Sequence, residues 1–556
     1  MKRLLTALCL SASAPLCIAA AAPVALAIHA GEPIGPMSPI WAWFGYDEPN
    51  YTTAPNGKKL LSDIAALSPV PVHVRAHNLM TSGDGSYALK WGSTGMYSED
   101  RDGKPVYNWT IIDKIFDTYV ERKMKPLAEI GFMPEALSQH PQPYQHHWKP
   151  GTPYKDILTG WATPPKDYDK WAELVYQWVR HSVERYGQRE VESWYWEVWN
   201  EPDGLYMISP DIKHEYFKMY DYASAAVKRA LPTARVGGPH TAVAGAFMDD
   251  FLQHCLHETN YATGKIGSPL DFVAWHAKGA PKVVDGVVQM GMGTHFRNLE
   301  NGFAMVEKYP ELKGVPVIIG ESDPEGCAAC GMQTNPENAY RNGTLYASYT
   351  AASIAREYEL AARHGVNLIG AVNWSFEFED QPWFAGYRDL ATNGVNKPVL
   401  NVFRMLGMMH GQRLKVGGDT AYDAERILQQ GVRGARTDIN ALASKGPHDI
   451  AVMVWNYHDD DVIDAGSPVS LRIDGIPARQ VVMHHYRIDQ EHSNSYAAWK
   501  RMGSPAQPSA AQIAALQKDS ALAELSAPQT LKVRNGNAII KMQLPRQGIS
   551  FITLTY

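Results

Sequence analysis

At 556 residues the chain is too long for one ordinary domain and long enough for two or three. Apolar residues make up 45% and charged residues 20%, the balance of a folded chain with buried cores. The net charge of −6 excludes the basic surface that nucleic-acid binders carry. Beyond the N-terminus no segment has the ~20 continuous apolar residues of a membrane span, so no stable membrane association is expected.

The first residues read as an export signal. Lys2 and Arg3 give a positive start, and Leu4 to Ala22 is apolar and broken by Pro15. Ala25-Leu26-Ala27 is a small-x-small cleavage site. The expectation is a signal peptide over 1–27, a mature start near Ile28, and a secreted or periplasmic protein. An uncleaved anchor is the alternative, which Pro15 and the many alanines disfavour. A lipoprotein site at Cys17 is disfavoured because Leu16 is not small. Loss of Lys2 and Arg3 takes the charge from −6 to −8.

From residue 28 to 411 short apolar runs alternate with amphipathic stretches. Candidate strands are Ile40–Tyr46, Val70–Ala76, Lys125–Gly131, Trp194–Trp199, Arg235–Gly238, Phe272–His276, Val315–Gly320 and Leu368–Trp374. Helical patterns between them include Tyr168–Tyr186, Asp211–Ala230, Phe247–His257 and Leu345–His364. Eight strand–helix units make an α/β fold, a (β/α)8 TIM barrel with long loops. A doubly wound open sheet is the alternative. It would want a glycine-rich phosphate turn, which Phe44-Gly45-Tyr46-Asp47 does not supply. Within the barrel, Cys255 sits in a helical pattern and reads as core. Cys327-Ala328-Ala329-Cys330 reads first as a small disulfide loop, with free thiols or a metal site as alternatives.

From 412 to 556 the texture changes to alternating runs: Ile450–Tyr457, Val469–Ile473, Gln480–Ile488, Asn537–Leu544 and Ile549–Tyr556. Asp474-Gly475 and Asn535-Gly536 are hairpin turn signals. This part reads as an antiparallel β-sandwich that packs on the barrel.

In such barrels the working side chains stand at the C-terminal ends of the strands. Two apolar strands here end in glutamates. One is Glu201, in Trp199-Asn200-Glu201-Pro202-Asp203; the other is Glu321, in Ile319-Gly320-Glu321-Ser322-Asp323. Alternation puts Glu197, Trp199 and Glu201 on one face, so bringing Asn200 and Glu201 to one pocket needs a bend or bulge. Two carboxyls across a barrel mouth are what glycoside hydrolysis requires. One protonates the leaving oxygen, and the other attacks the anomeric carbon or activates water. A single acid at a strand end is more often a salt bridge or a helix cap. Plentiful Trp (16) and Tyr (28) suit sugar faces but also fill cores.

At these residues the chain resembles glycoside hydrolase family 39, which contains β-xylosidases and α-L-iduronidases. The Trp199–Asp203 run resembles the family's acid/base motif, and Ile319–Asp323 resembles its nucleophile strand. The resemblance implies Glu201 as acid/base, Glu321 as nucleophile and Asn200 as the partner of the sugar 2-hydroxyl. Val74-Arg75-Ala76-His77 and Asp271–His276 imply that His77 and His276 touch the sugar. Trp374–Asp380 implies Trp374 as a platform and Glu379 as a hydroxyl ligand. Asn393–Pro398 and the tail segment Tyr486–Asn494 extend the match over most of the chain. One departure stands out. Where many β-xylosidases have an aromatic after the sixth-strand His, this chain has His276-Ala277-Lys278-Gly279. Lys278 resembles the iduronidase branch, where an ammonium meets a substrate carboxylate.

The expected protein is therefore a retaining exo-glycosidase that releases terminal β-D-xylose from xylo-oligosaccharides and needs no metal or cofactor. An α-L-iduronidase or related uronate-cleaving enzyme is the alternative. A non-catalytic carbohydrate-binding protein is disfavoured because both glutamates are present. Glu129, Asp323 and Glu325 read as structural or loop acids.

Overall fold

The computed structural model describes residues 22–556, apart from 325, 326, 328, 463 and 465. The leader expected over 1–27 thus lies mostly outside the described residues. Eight parallel strands form the barrel, in order Trp43–Tyr46, His73–Ala76, Lys125–Ile130, Tyr195–Val198, Arg235–Thr241, Phe272–Lys278, Pro316–Asp323 and Asn367–Trp374. The eighth is interrupted at Val372. Asn367–Ala371 pairs with the seventh strand and Asn373–Trp374 with the first, which closes the barrel. A helix follows each strand: Pro55–Leu67, Thr110–Val120, Tyr168–Tyr186, Ile212–Ala230, Ala246–His257, Met292–Glu307, Thr344–Arg363 and Pro398–Gly407. The caps explain two of the boundaries. Asp167 accepts from Lys170 N and Asp211 from His214 N, satisfying first-turn donors that the helix itself cannot.

The strand period of two sorts the barrel interior into layers. Trp43, Leu127, Tyr195, Phe272 and Ile318 fill an apolar floor. Two residues further along, Arg75, Glu129 and Glu197 form a fully buried charged layer. Above it lie His77, Glu201, His276 and Glu321. One position in the first strand must lack a side chain. A Cβ on Gly45 would stand 2.3 Å from the Trp374 ring, so glycine is what lets that ring lie across the barrel.

The C-terminal part differs from the expectation in two respects. Its sheet has ten strands and is mixed rather than purely antiparallel, because Val24–Pro36 joins it. That strand runs antiparallel to Gln412–Gly418 and parallel to Ser467–Asp474. The expected boundary at residue 28 is corrected accordingly: the described residues start in this mixed sheet and only then enter the barrel. Cleavage after Ala27 would remove Val24–Ala27 from this pairing, including Leu26, which is 1% exposed. Three helices, Ala424–Gln430, Ser495–Arg501 and Ala510–Asp519, were not expected. The last of them opens with a Ser509/Gln512 capping box.

Asp449–Tyr457 is buried on both sides. Ile450, Val452 and Val454 face the sandwich core, while Ala451, Met453 and Trp455 join the barrel core. At this junction Arg356, on the helix after the seventh strand, pairs with Asp438 at 3.0 Å and lies over the Trp455 ring. Trp455 Nε1 donates to the same carboxylate. No helix among the described residues is long and apolar enough to cross a membrane.

Candidate active site

The fourth strand does not end as a plain strand. Trp199 and Glu201 both have positive φ, 68° and 44°. These two left-handed residues supply the bend that alternation alone lacks, so Asn200 and Glu201 both turn into the barrel mouth. Such backbone is costly for non-glycine residues and persists only where its surroundings fix it. Here Trp199 N donates to Ile130 O, and Glu201 N donates to His240 O at 2.9 Å. The seventh strand carries an irregularity of its own. Its register against the sixth strand shifts between Ile319 and Glu321, and a Cβ on the intervening Gly320 would meet the His240 ring at 2.2 Å. Bulges of this kind re-aim side chains.

The two glutamates face each other. Glu201, His276 and Glu321 each present an atom within 4.8 Å of the others. Five cationic or imidazole groups converge on Glu321: Lys278 at 2.8 Å, Arg388 at 3.3 Å, Arg75 at 3.4 Å, His77 at 3.5 Å and His276 at 3.6 Å. Burial pushes its carboxyl up, but Lys278, His276, His77 and Arg388 outweigh burial and hold it well below the usual carboxylate range. Glu201 goes the other way. Burial raises it, the charge of Glu321 adds to that, and Lys278 at 3.5 Å only partly offsets them. Its Oε1 lies 2.8 Å from His276 Nδ1. Burial pushes His276 well below its ordinary value, against the pull of Glu321. The two shifts are opposite: they favour the ionised form of Glu321 and the protonated form of Glu201.

A pocket of about 440 Å³ opens above them. Of the residues expected at the site, Glu201, Lys278, Glu321 and Trp374 line it. Asn200 lies just below, accepting from Arg75 Nη2 at 2.8 Å, with its Nδ2 buried and without a protein acceptor. His77 Nδ1 donates to Glu129, and that carboxylate outweighs burial to raise it to about 9. Glu129 therefore holds a site histidine. Trp374 is fixed by Nε1–H to Asp47 Oδ1 at 3.1 Å. Glu379 is not brought into the pocket. Both its oxygens accept from Asn56, one from the backbone N–H and one from the side chain, at 2.7 Å each. It sits on the N-terminus of the helix Pro55–Leu67, where a carboxylate complements exposed N–H groups.

Sequence reading missed several groups. Asp47 and Lys90 line the pocket as a buried pair at 2.7 Å. Arg388, on the loop after the eighth strand, reaches both Glu321 and Asp323. Asp323 is buried rather than a loop acid. Its signal was present, since residues 321 and 323 share a strand face. Behind the strand, Ser322 donates to Glu357 at 2.6 Å and meets His295 at 3.0 Å, anchoring the outward side of the segment that bears Glu321. Cys327 and Cys330 form a disulfide, and Asn338 Nδ2 donates to Cys330 O at 3.0 Å. Cys255 is buried and unpaired, as expected.

Glu201, His276 and Glu321 could offer ligands to a cation by spacing alone. The ammonium of Lys278 already stands against both carboxylates, so the cation-attracting position is filled by a side chain.

A family model described as "Glycosyl hydrolases family 39" matches residues 87–534. A β-xylosidase of Geobacillus stearothermophilus is 27% identical over 460 residues, covering 79% of this chain and 77% of that protein. An α-L-iduronidase of Mus musculus is 25% identical over 527 residues, covering 87% of this chain and 74% of that protein. The crystal structure of a monomeric β-xylosidase from Caulobacter crescentus CB15 superposes with a TM-score of 0.74 at 21% identity, covering 96% of this chain and 99% of that one. That structural likeness speaks for the fold. The family match spans most of the chain and includes both glutamate-bearing strands: this protein belongs to glycosyl hydrolase family 39.

Proposed function

We propose that the chain is a retaining, exo-acting glycosidase. Glu321 attacks the anomeric carbon while Glu201 gives its proton to the leaving oxygen. Glu201 then takes a proton from the water that hydrolyses the glycosyl–enzyme ester. The observation that carries this reading is the separation of the two carboxyls, within 4.8 Å at their nearest ligand atoms. Retaining pairs stand ~5–5.5 Å apart and inverting pairs ~6.5–9.5 Å apart. The opposite pKa shifts support it, since a nucleophile must be ionised and an acid protonated. Asn200 Nδ2, buried and without a protein acceptor, suits a sugar 2-hydroxyl. Loops after nearly every strand wall the pocket, which favours a chain end over a threaded polymer.

For the glycone we take a terminal β-D-xylosyl unit, with short xylo-oligosaccharides as the first substrates to try. A uronate is the second reading, favoured by the cations Lys90, Lys278 and Arg388 on the pocket wall. Export with removal of the leader belongs to the same proposal. The test is a panel of aryl β-D-xyloside, α-L-arabinoside and uronides, with the first-formed anomer followed by NMR. Turnover with the starting configuration supports the reading. Product of inverted configuration would overturn the mechanism, and uronide turnover that Lys278→Met selectively removes would overturn the xylose choice.

A further inference from the structure

Six of the residues lining the pocket are charged, but one sector is mainly apolar. On the side of Glu201 the wall is built by Leu205, Tyr206, Ala242 and Val243. Leu205 and Val243 are 48% and 47% exposed, so two branched aliphatic side chains stand in water beside the acid. Exposed aliphatics are ordinary when scattered; two of them lining one sector of a catalytic pocket are not.

This sector is held in place. Ala242 N donates to Asp203 Oδ1 at 3.0 Å, which ties the loop bearing Val243 to the loop bearing Leu205. Tyr206 N donates to Glu201 O, and Tyr206 O accepts from Trp199 Nε1. The Tyr206 ring stacks on Phe132 with an interplanar angle of 5°. The aliphatic surface is therefore presented by braced backbone.

Position decides what meets it. Glu201 must reach the leaving oxygen, so the leaving group departs along the side of the pocket that Glu201 occupies. A second sugar there would want hydrogen bonds to its hydroxyls. The polar side chains Thr294 and Asn298, on the pocket wall, each already hold one bond within the protein: Thr294 Oγ1 accepts from Arg297, and Asn298 Nδ2 donates to the Lys278 carbonyl. A site that leaves hydroxyls unpaired discriminates against them, whereas aliphatic walls reward methylenes.

We propose that Leu205 and Val243 form a leaving-group subsite for an apolar aglycone, an alkyl or alicyclic alcohol bound to the sugar through its glycosidic oxygen. This rests on the glycosidase reading and extends its leaving groups beyond a second xylose.

The experiment uses the full chain and a series of methyl, butyl, hexyl and octyl glycosides of whichever sugar the aryl panel selects, with the matching disaccharide as comparison. Butyl to octyl alcohols have nearly the same acidity, so chemistry is constant along those members. Full burial of a methylene is worth ~0.8 kcal/mol, or about fourfold; with one side of the alkyl chain in water, kcat/KM should rise about twofold per methylene. Leu205→Asn and Val243→Asn should each flatten that slope, read as the octyl-to-butyl ratio. A flat slope in the parent enzyme, with the disaccharide preferred to the butyl glycoside, would overturn the inference. So would an octyl-to-butyl ratio unchanged in both variants. If no aryl glycoside turned over at all, the glycosidase reading itself would fail, a separate outcome.

Discussion

Lys278 is the residue on which the site's electrostatics turn, and replacing it gives the sharpest test. Lys278→Met keeps most of the stem and removes the charge. Its ammonium lies 2.8 Å from Glu321 and 3.5 Å from Glu201. At an effective dielectric near 20, Coulomb's law gives roughly 6 kcal/mol for the first distance and roughly 5 kcal/mol for the second. These are upper values. Arg75, Arg388 and His77 remain beside Glu321, and water enters the vacated space, so the expected shift is about 1–3 pH units. The sign is the same at both carboxyls. Lys278 favours the ionised form of each, so its loss raises both. The acid limb of kcat/KM, where Glu321 gains its proton, moves up. The alkaline limb, where Glu201 loses its proton, moves up as well. The whole bell should slide towards alkaline pH rather than narrow. The assay is kcat/KM for an aryl glycoside against pH, since this ratio reports the free enzyme. An unmoved acid limb would refute the assignment of Glu321 as the ionised partner of Lys278.

Glu201→Gln should cost about 10²–10⁴ in rate on alkyl glycosides, the usual worth of a general acid, and far less on a dinitrophenyl glycoside whose leaving group needs no proton. Equal losses on both would count against the acid role. Glu357 is raised by burial to about 7 from 4.5, so it favours folding below pH 4.5 and this contribution, about 3 kcal/mol, is lost as pH rises through 7. Thermal unfolding of Glu357→Gln should depend less on pH between 4.5 and 7 than that of the parent; identical pH dependence would show that Glu357 does not titrate there. For the N-terminus, sequencing of exported protein should find a first residue at or before Val24. A chain begun at Ile28 should unfold at lower temperature, because loss of the buried Leu26 side chain alone costs roughly 2–5 kcal/mol.

The parts of the fold that were legible in the sequence are those where one force dominates. Barrel strands are covered by helices outside and side chains inside, so runs such as Val317–Ile319 are apolar throughout. Helices such as Tyr168–Tyr186 bury one stripe and show a 3.6-residue period. The N-terminal strand was illegible for a related reason. Val24–Ile28 is short, apolar and rich in small residues, and a cleavage region and a buried strand want the same composition. Only pairing with Gln412–Gly418, far along the chain, tells them apart.

The same distinction runs through the site. Glu201 and Glu321 announce themselves because an apolar strand ends in an acid, a local pattern. Arg388 and Lys90 carry no local pattern; they come from loops, and only the closed barrel brings them to the pocket. Glu379 shows the opposite case, a residue in a suggestive run whose two oxygens each accept from Asn56 at a helix terminus. On the proposed mechanism, the groups read from sequence act on the bond that is broken, while the groups delivered by loops line the rest of the pocket. That division is why the sequence points to a glycosidase more readily than to a particular sugar. Lys278 belongs to both sets. It stands at a strand end, and it tunes both carboxyls while lining the pocket. One substitution there reads the mechanism through the pH profile and the glycone through the substrate panel. A shift of the bell with no change in sugar preference would assign Lys278 to the carboxyls alone and return the choice of sugar to Lys90 and Arg388.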